Sequence, residues 1–327
     1  MKQRPLQRLF RTAVSAAIAC AAVEATAAVE FLNQAKETRQ AAEAAEAAES
    51  TQAKEAKKPT EELEEPVVAL QETTSTTAAT DASMSSISAN NPRGLRGMET
   101  YISYNRLNSG YKQWREVGVR GLYERGRHLI YAEAAAINRF NENGSYFAVG
   151  DTITLDDNWY TALSLGVGSG ATFLPDYRVD GFINRKFLAD KSLIGTLGLG
   201  YSKIPDGHTN NLQNVGFTYY FNAPWVVQGG VTRTTSNPGD VQTTQRFVAA
   251  TWGQQKQTLV IGRYGWGREG WLALGDSNFV SNFSSHQASI SMRQWLGSSW
   301  GTNVGYEQYK NPFYTRKGLN LSIFWEL

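Results

Sequence analysis

The sequence predicts an all-β fold, a transmembrane up-and-down antiparallel β-barrel of about 14 strands (12–16 at the outside) formed by residues 97–327. Three observations lead there. After Gly97 the chain becomes a series of short stretches that alternate apolar and polar residues, separated by Gly, Asn, Asp and Pro, as in half-buried strands joined by turns. Every second connection in that series is short. Tryptophans recur where strands would meet one and the same rim.

The chain opens differently. Residues 1–27 read as a secretory signal: Lys2, Arg4, Arg8 and Arg11 precede an apolar stretch, Thr12 to Val23, that is too short to span a bilayer as a helix. Ala25-Thr26-Ala27 supplies a cleavage site, with Ala28 as the expected mature N-terminus. A rival reading takes Ala17-Ile18-Ala19-Cys20 as a lipobox, although Ala17 is a poor first residue for one. Cys20 is the single cysteine, so cleavage after Ala27 leaves no thiol or disulfide chemistry. The formal +2 charge also resides here, since these residues carry four basic side chains against Glu24 alone. The chain beyond Ala27 is slightly acidic, which gives no support to nucleic-acid binding.

Residues 28–58 are Ala, Glu, Gln and Lys around AEAAEAAES, strong helix formers stopped by Pro59. A fully helical run would be about 45 Å long. It lacks the Leu or Ile heptads of a firm coiled coil, so it reads as a solvated periplasmic spacer or as an arm that touches peptidoglycan or a periplasmic partner. Residues 59–96 form an acidic patch and then a Ser/Thr/Ala tract that cannot bury enough surface to offset its ordering entropy, a disordered linker.

Fourteen strands are then expected, near 98–106, 112–123, 128–139, 145–155, 159–168, 177–187, 193–203, 210–221, 225–235, 241–252, 257–266, 286–295, 300–309 and 317–327. A soluble β-sandwich would alternate too, but two features favour the membrane barrel. With an even strand count and both ends on one side, alternate connections face opposite sides of the membrane, and one set should be short. Glu124–Arg127, Asp156–Asn158, Leu188–Ser192, Asn222–Pro224, Gly253–Lys256 and Leu296–Ser299 are short, whereas the other set includes 169–176 and a long loop at 267–285. Trp159, Trp225 and Trp300 begin odd strands, and Trp252, Trp295 and Trp325 end even ones; with Tyr123 and Phe221 they make an aromatic girdle at the periplasmic interface. An indole wants its ring in the apolar layer and its N–H near water.

Such a barrel has a backbone radius near ~14 Å, wide enough to keep a lumen. Charged side chains should line it, because a charge facing lipid at the midplane costs about 2–4 kcal/mol. The inward candidates are Glu116, Arg120, Glu133, Arg139, Arg178 and Asp180, joined by Arg246, Arg263, Arg293 and Glu307. They either brace the barrel by pairing across the lumen or form a selectivity surface for polar or anionic solutes. Asp151 breaks the pattern, since the frame that turns Phe147, Val149 and Ile153 outward turns it to lipid, and a bulge is expected there. His128, His208 and His286 stand in no catalytic arrangement; Ser285 beside His286 points the other way along a strand. No metal-ligand spacing and no phosphate-cradling loop appears, so no cofactor and no enzymatic activity are expected.

Phe173-Leu174-Pro175-Asp176-Tyr177-Arg178-Val179-Asp180 leads into Ala189-Asp190-Lys191-Ser192-Leu193 and Gly198-Leu199-Gly200-Tyr201-Ser202-Lys203. With the strand spacing and the last strand, this region, about residues 98–327, resembles the YaiO-type outer-membrane β-barrel proteins. In its most specific piece, Pro-x-Tyr-Arg-x-Asp, Arg178 and Asp180 match the family's charged pair. The resemblance implies residence in the outer membrane and a part in envelope or exopolysaccharide biology, and it supplies no catalytic residue. The expected function is a channel or docking barrel for polysaccharide or another polar solute; the alternatives are a structural barrel with a plugged lumen and, third, an envelope lipid or glycan hydrolase. Expected partners are outer-membrane lipid and, through the strand GLNLSIFWEL, the barrel-assembly machinery. That strand should close the barrel against the first, with Leu327 standing where Phe or Trp is usual.

Overall fold

The computed structural model describes residues 96–221, 224–273 and 279–327. The expected signal peptide, spacer and nearly all of the linker lie outside the described residues; only Arg96, the last linker residue, is within them and opens the first strand. The strands are β1 (Arg96–Leu107), β2 (Trp114–Arg125), β3 (His128–Arg139), β4 (Glu142–Thr154), β5 (Trp159–Ser169), β6 (Tyr177–Phe187) and β7 (Leu193–Lys203). There follow β8 (Thr209–Tyr220), β9 (Trp225–Asn237), β10 (Val241–Gly253), β11 (Thr258–Ala273), β12 (Phe279–Trp295), β13 (Trp300–Lys310) and β14 (Thr315–Glu326). Each pairs antiparallel with its neighbours in sequence, and β1 pairs with β14 from Gly97↔Glu326 to Leu107↔Arg316, so the sheet closes on itself. Closure satisfies the backbone of both end strands and removes the sheet edge, the condition for crossing lipid with strands.

The period-2 alternation fixes which side chains meet lipid. Leu163, Leu165 and Val167 of β5, Leu197 and Leu199 of β7, and Leu319, Leu321 and Ile323 of β14 are large, apolar and exposed on the outer wall. Leu199 is 70% exposed, which is tolerable for an apolar side chain only in a medium as apolar as itself. Both ends of the described chain lie at one end of the barrel, called here the terminal end; the β1–β2, β3–β4 and corresponding connections lie at the other, the loop end.

The long loop expected at 267–285 is mostly strand. β11 and β12 stay paired as far as Ala273↔Phe279, beyond Gly267 and His286, where their outer partners β10 and β13 stop pairing with them. Gly and Ser in this stretch mask the alternation without preventing backbone pairing. The ribbon leans over the mouth: a side chain at Gly270 would touch Ser236 of β9, and Phe283 packs in the apolar cluster there. Connection length therefore separates the two ends less sharply than the sequence implies. Phe140-Asn141, both at positive φ, turn β3 into β4 within two residues at the loop end.

Three side chains differ from expectation in face or setting. Arg246 shares its parity with Val248 and Trp252 and lies opposite Val231, so it stands on the outer wall rather than in the lumen. Trp295 shares the parity of Arg293 and turns inward, leaving the girdle. Its indole N–H donates to Glu326 Oε1 at 3.1 Å, and its ring meets Phe324 edge-on at 5.1 Å. Asp151 faces outward without a bulge, for β4 pairs in unbroken register with β3 and β5. It is tolerated because His128 Nδ1 lies 2.6 Å from its Oδ2 on the same outer face near the terminal end.

Candidate functional site

The lumen is a cavity of about 510 Å³ whose lining runs from Trp114 and Tyr309 near the loop end to Leu122, Leu129 and Tyr160 toward the terminal end. Two kinds of wall enclose it. From β12 through β14 and β1 to β3 the wall is charged, and its charges are matched. Arg120 Nε donates to Glu133 Oε1 at 3.1 Å, and Arg139 stands 3.5 Å from Glu116. The Tyr101 hydroxyl lies between those carboxylates, 2.9 Å from Glu116 Oε1 and 2.7 Å from Glu133 Oε1, with the Arg120 guanidinium over its ring. Gly118 makes this possible, because a Cβ there would fall 2.5 Å from the Tyr101 ring. Around the seam, Arg293 pairs with Glu99 at 3.4 Å and Arg316 with Glu307 at 3.1 Å. Gln287 Nε2 donates to the second oxygen of Glu307.

On β6, Arg178 and Asp180 satisfy one another along the strand, with Nε at 2.6 Å and a terminal nitrogen at 2.9 Å from the two carboxylate oxygens. A fork-on-carboxylate pair of this kind leaves little charge to offer a solute. A side chain on Gly200 of β7 would press against Asp180, so glycine leaves that pair its room.

The wall from β7 to β10 is polar but neutral. Thr196 donates to Asn184 at 2.7 Å, Asn214 to Thr232 at 2.9 Å, and Gln228 to Thr218 at 3.2 Å. Each amide spends one bond on its neighbour and keeps further donor and acceptor capacity toward the cavity. Beside this wall Arg263 of β11 rests on the Phe247 ring, 3.9 Å from its centroid. Among the described residues no carboxylate lies within ion-pair distance of Arg263.

The loop end carries buried apolar packing on its inner side. The connection 170–176 folds inward as a strap: Phe173 and Leu174 are buried, Pro175 O accepts from Gly168 N at 2.8 Å, and Glu142 receives Thr172 N and Oγ1 at 2.6 and 2.8 Å. They join Leu107, Trp114, Ile137, Phe140, Ile204, Phe283, Tyr309 and Tyr314 in one cluster drawn from β1 to β3, β12, β13 and the connections after β3, β5, β7 and β13. Trp114 packs edge-on against Phe140 at 4.9 Å, and the guanidiniums of Arg139 and Arg316 lie over its ring at 4.9 and 4.8 Å. Phe140 holds φ 50°, a conformation L residues adopt at a cost that such packing can offset.

Of the expected lumen residues, Glu116, Arg120, Glu133, Arg139, Arg178, Asp180, Arg263, Arg293 and Glu307 thus lie on inner faces. Of the expected girdle, Tyr123, Trp159, Phe221, Trp225, Trp252, Trp300 and Trp325 lie on the outer wall at the terminal end, with Trp225 opposite Trp252 and Trp300 opposite Trp325. Sequence reasoning missed Glu99, Tyr101 and Arg316. Inward parity on β1 was the available signal for the first two; Arg316 fell just before the expected start of the last strand. His208 is buried beside Asp206, and His286 sits on the outer wall with Tyr264 Oη 3.2 Å from its Nδ1. Among the described residues no three His, Cys, Asp or Glu side chains gather as metal ligands, and no helix is long and apolar enough to cross a membrane.

A search of curated proteins found no match. Among solved structures the chain is similar to a bacterial polysaccharide outer membrane secretin, with TM-score 0.47 and 8% identity over 72% of this chain and 100% of that one. It is also similar to the CymD monoaromatic hydrocarbon channel (TM-score 0.48, 9% identity, 72% and 88% covered). An anion-selective porin from Comamonas acidovorans matches with TM-score 0.38 and 10% identity over 71% and 98%. Barrels of unrelated function share likeness at this level. The family model of the YaiO membrane beta barrel domain matches residues 96–272, from β1 into β11, and the chain belongs to that outer-membrane barrel family.

Proposed function

We propose that the barrel is a gated outer-membrane passage for a polar solute of the saccharide class, entered from the terminal end and shut at the loop end by the strap and its apolar cluster. The observation that carries this reading is the neutral wall. Amides and hydroxyls of β7 to β10 face a cavity of about 510 Å³ with bonding capacity to spare, while the charges opposite are used on one another. Sugar hydroxyls exchange bonds with water for bonds with such groups at little net cost, which suits passage better than tight retention. The proposal places the terminal end in the periplasm, residues 28–58 as the arm toward a periplasmic partner or peptidoglycan, and the solute in envelope or exopolysaccharide biology. The last strand is the segment offered to the barrel-assembly machinery. No catalytic role is assigned, since neither His128 nor His286 faces the lumen.

The apolar cluster favours a second reading, a structural barrel permanently plugged at its outer mouth. Planar-bilayer recordings of the purified protein separate the two. Passage predicts discrete openings that a neutral maltooligosaccharide blocks from the terminal side. Arg263→Gln should lower anion preference, and the Arg178→Ala/Asp180→Ala pair should change it far less. A closed, heat-modifiable barrel that never conducts under any voltage rejects passage in favour of the plug.

A further inference from the structure

The outward-facing Arg246 leads to a second surface. Its register row runs Arg246–Trp266–His286–Lys310 across β10 to β13 on the outer wall. The adjacent row runs Val248–Tyr264–Ala288–Gln308–Lys317–Arg106 across β10 to β1. Arg115 of β2 comes next, opposite Tyr104. All these cations are exposed; Arg106, Arg115, Lys310 and Lys317 lie at the loop end, and Arg246 lies about midway along β10. Tyr264 stacks on Trp266 and on His286, at 5.6 and 6.4 Å between centroids, so rings and cations share the patch.

Two features set the patch apart. Lys317 and Arg106 face each other directly across the β14–β1 seam, a like-charge pairing that destabilises a sheet unless an anion lies between. Among the described residues no carboxylate is within ion-pair distance of Arg106, Arg115, Arg246, Lys310 or Lys317. Two other polar groups of the outer wall do have partners: His128 has Asp151, and Arg185 lies over the rings of Trp159 and Phe187 at 5.2 and 4.9 Å. With an even strand count and both barrel ends at the terminal side, the loop end meets the outer leaflet. There a wall-facing cation lies beside lipid headgroups, and fixed phosphates supply its counter-charge.

We propose that Arg106, Arg115, Arg246, Lys310 and Lys317, with the Tyr264–Trp266–His286 stack, form a binding surface for the phosphates of a phosphorylated glycolipid of the outer leaflet, of the lipid A type. Phosphates spaced on a sugar backbone can bridge Lys317 and Arg106, while acyl chains descend along Leu319, Leu321 and Ile102 below them. This surface is independent of whether the lumen conducts.

Native mass spectrometry of the full-length protein, released from detergent with defined lipid, tests it. Bisphosphorylated lipid A should remain bound to the wild type. The Arg106→Gln/Lys317→Gln variant should hold it at least about tenfold more weakly, and Arg106→Lys/Lys317→Arg should restore binding. The closed barrel of each variant is verified by its heat-modifiable gel mobility, and Arg125→Gln/Arg127→Gln at the terminal end should bind as the wild type does. Equal retention by wild type and double Gln variant overturns the proposal. So does retention of phosphatidylglycerol as strong as that of lipid A and lost to the same degree, which would indicate a generic anionic-lipid contact.

Discussion

The two ends of this barrel use the same residues on opposite faces. At the loop end Trp114, Phe140, Phe173 and Tyr314 point inward and pack in one buried cluster, while Tyr264 and Trp266 stay on the outer wall. At the terminal end the indoles of Trp159, Trp225, Trp252, Trp300 and Trp325 point outward. Charge is distributed the other way: cations stand outside at the loop end, and the lumen charges inside are paired apart from Arg263, which rests on Phe247. The difference shows that side-chain type alone does not fix a ring's task in a barrel. An inward ring removes water from a mouth, and its loss leaves a hole; an outward ring anchors the wall in a fluid medium that can refill the space.

The contrast is sharpest in stability. Trp114, 2% exposed and contacted by Phe140, Tyr314 and two guanidiniums, should cost about 3–5 kcal/mol when changed to Ala. Trp225→Ala, on the outer wall, should cost roughly 0.5–1.5 kcal/mol. Guanidinium unfolding in lipid vesicles measures both, and equal costs would erase the distinction. Next in size is Arg139→Gln, which leaves Glu116 without its cation and loosens Trp114, for a loss of about 1–3 kcal/mol in the same assay. Brominated lipids then read the faces directly. Bromines near the headgroups should quench most of the tryptophan emission through the girdle, and a protein keeping only Trp114 and Trp295 should be quenched little.

The smallest effect lies in the β6–β7 turn at the terminal end. Asp190 accepts from Ser192 Oγ and Ser192 N at 2.8 and 3.2 Å, and these bonds hold its carboxyl below the ordinary value. A lowered folded value stabilises the turn above the unfolded pKa and loses that contribution as pH falls through the folded one. Hydrogen exchange of residues 188–192 should therefore quicken on acidification below about pH 4, and Ser192→Ala should flatten the dependence.

Much of this architecture was legible in the chain. Period-2 alternation gave the strands and the outer wall, since lipid on one side and polar lumen on the other leave few other ways to satisfy a backbone. Alternation also located Arg178 and Asp180, and Glu116, Arg120, Glu133 and Arg139. It failed where level and parity disagree. Trp295 lies at girdle height but on the inner face, and Arg246, midway along β10, lies on the outer face with Val248. The strap was not legible: Phe173 and Leu174 read as loop residues, and their inward fold depends on Trp114 and Gly144, far away in sequence. The pairing of β11 with β12 beyond Gly267 was hidden by glycine and serine, which show no alternation of their own.

The most direct test of a polar lumen shut at one end is the single-channel record of Phe173→Ala/Leu174→Ala beside that of the wild type. Loosening the strap should turn brief, rare openings into sustained conductance that a maltooligosaccharide still blocks. A correctly closed double variant that conducts no more than the wild type would contradict the gate and leave the cluster as a permanent plug.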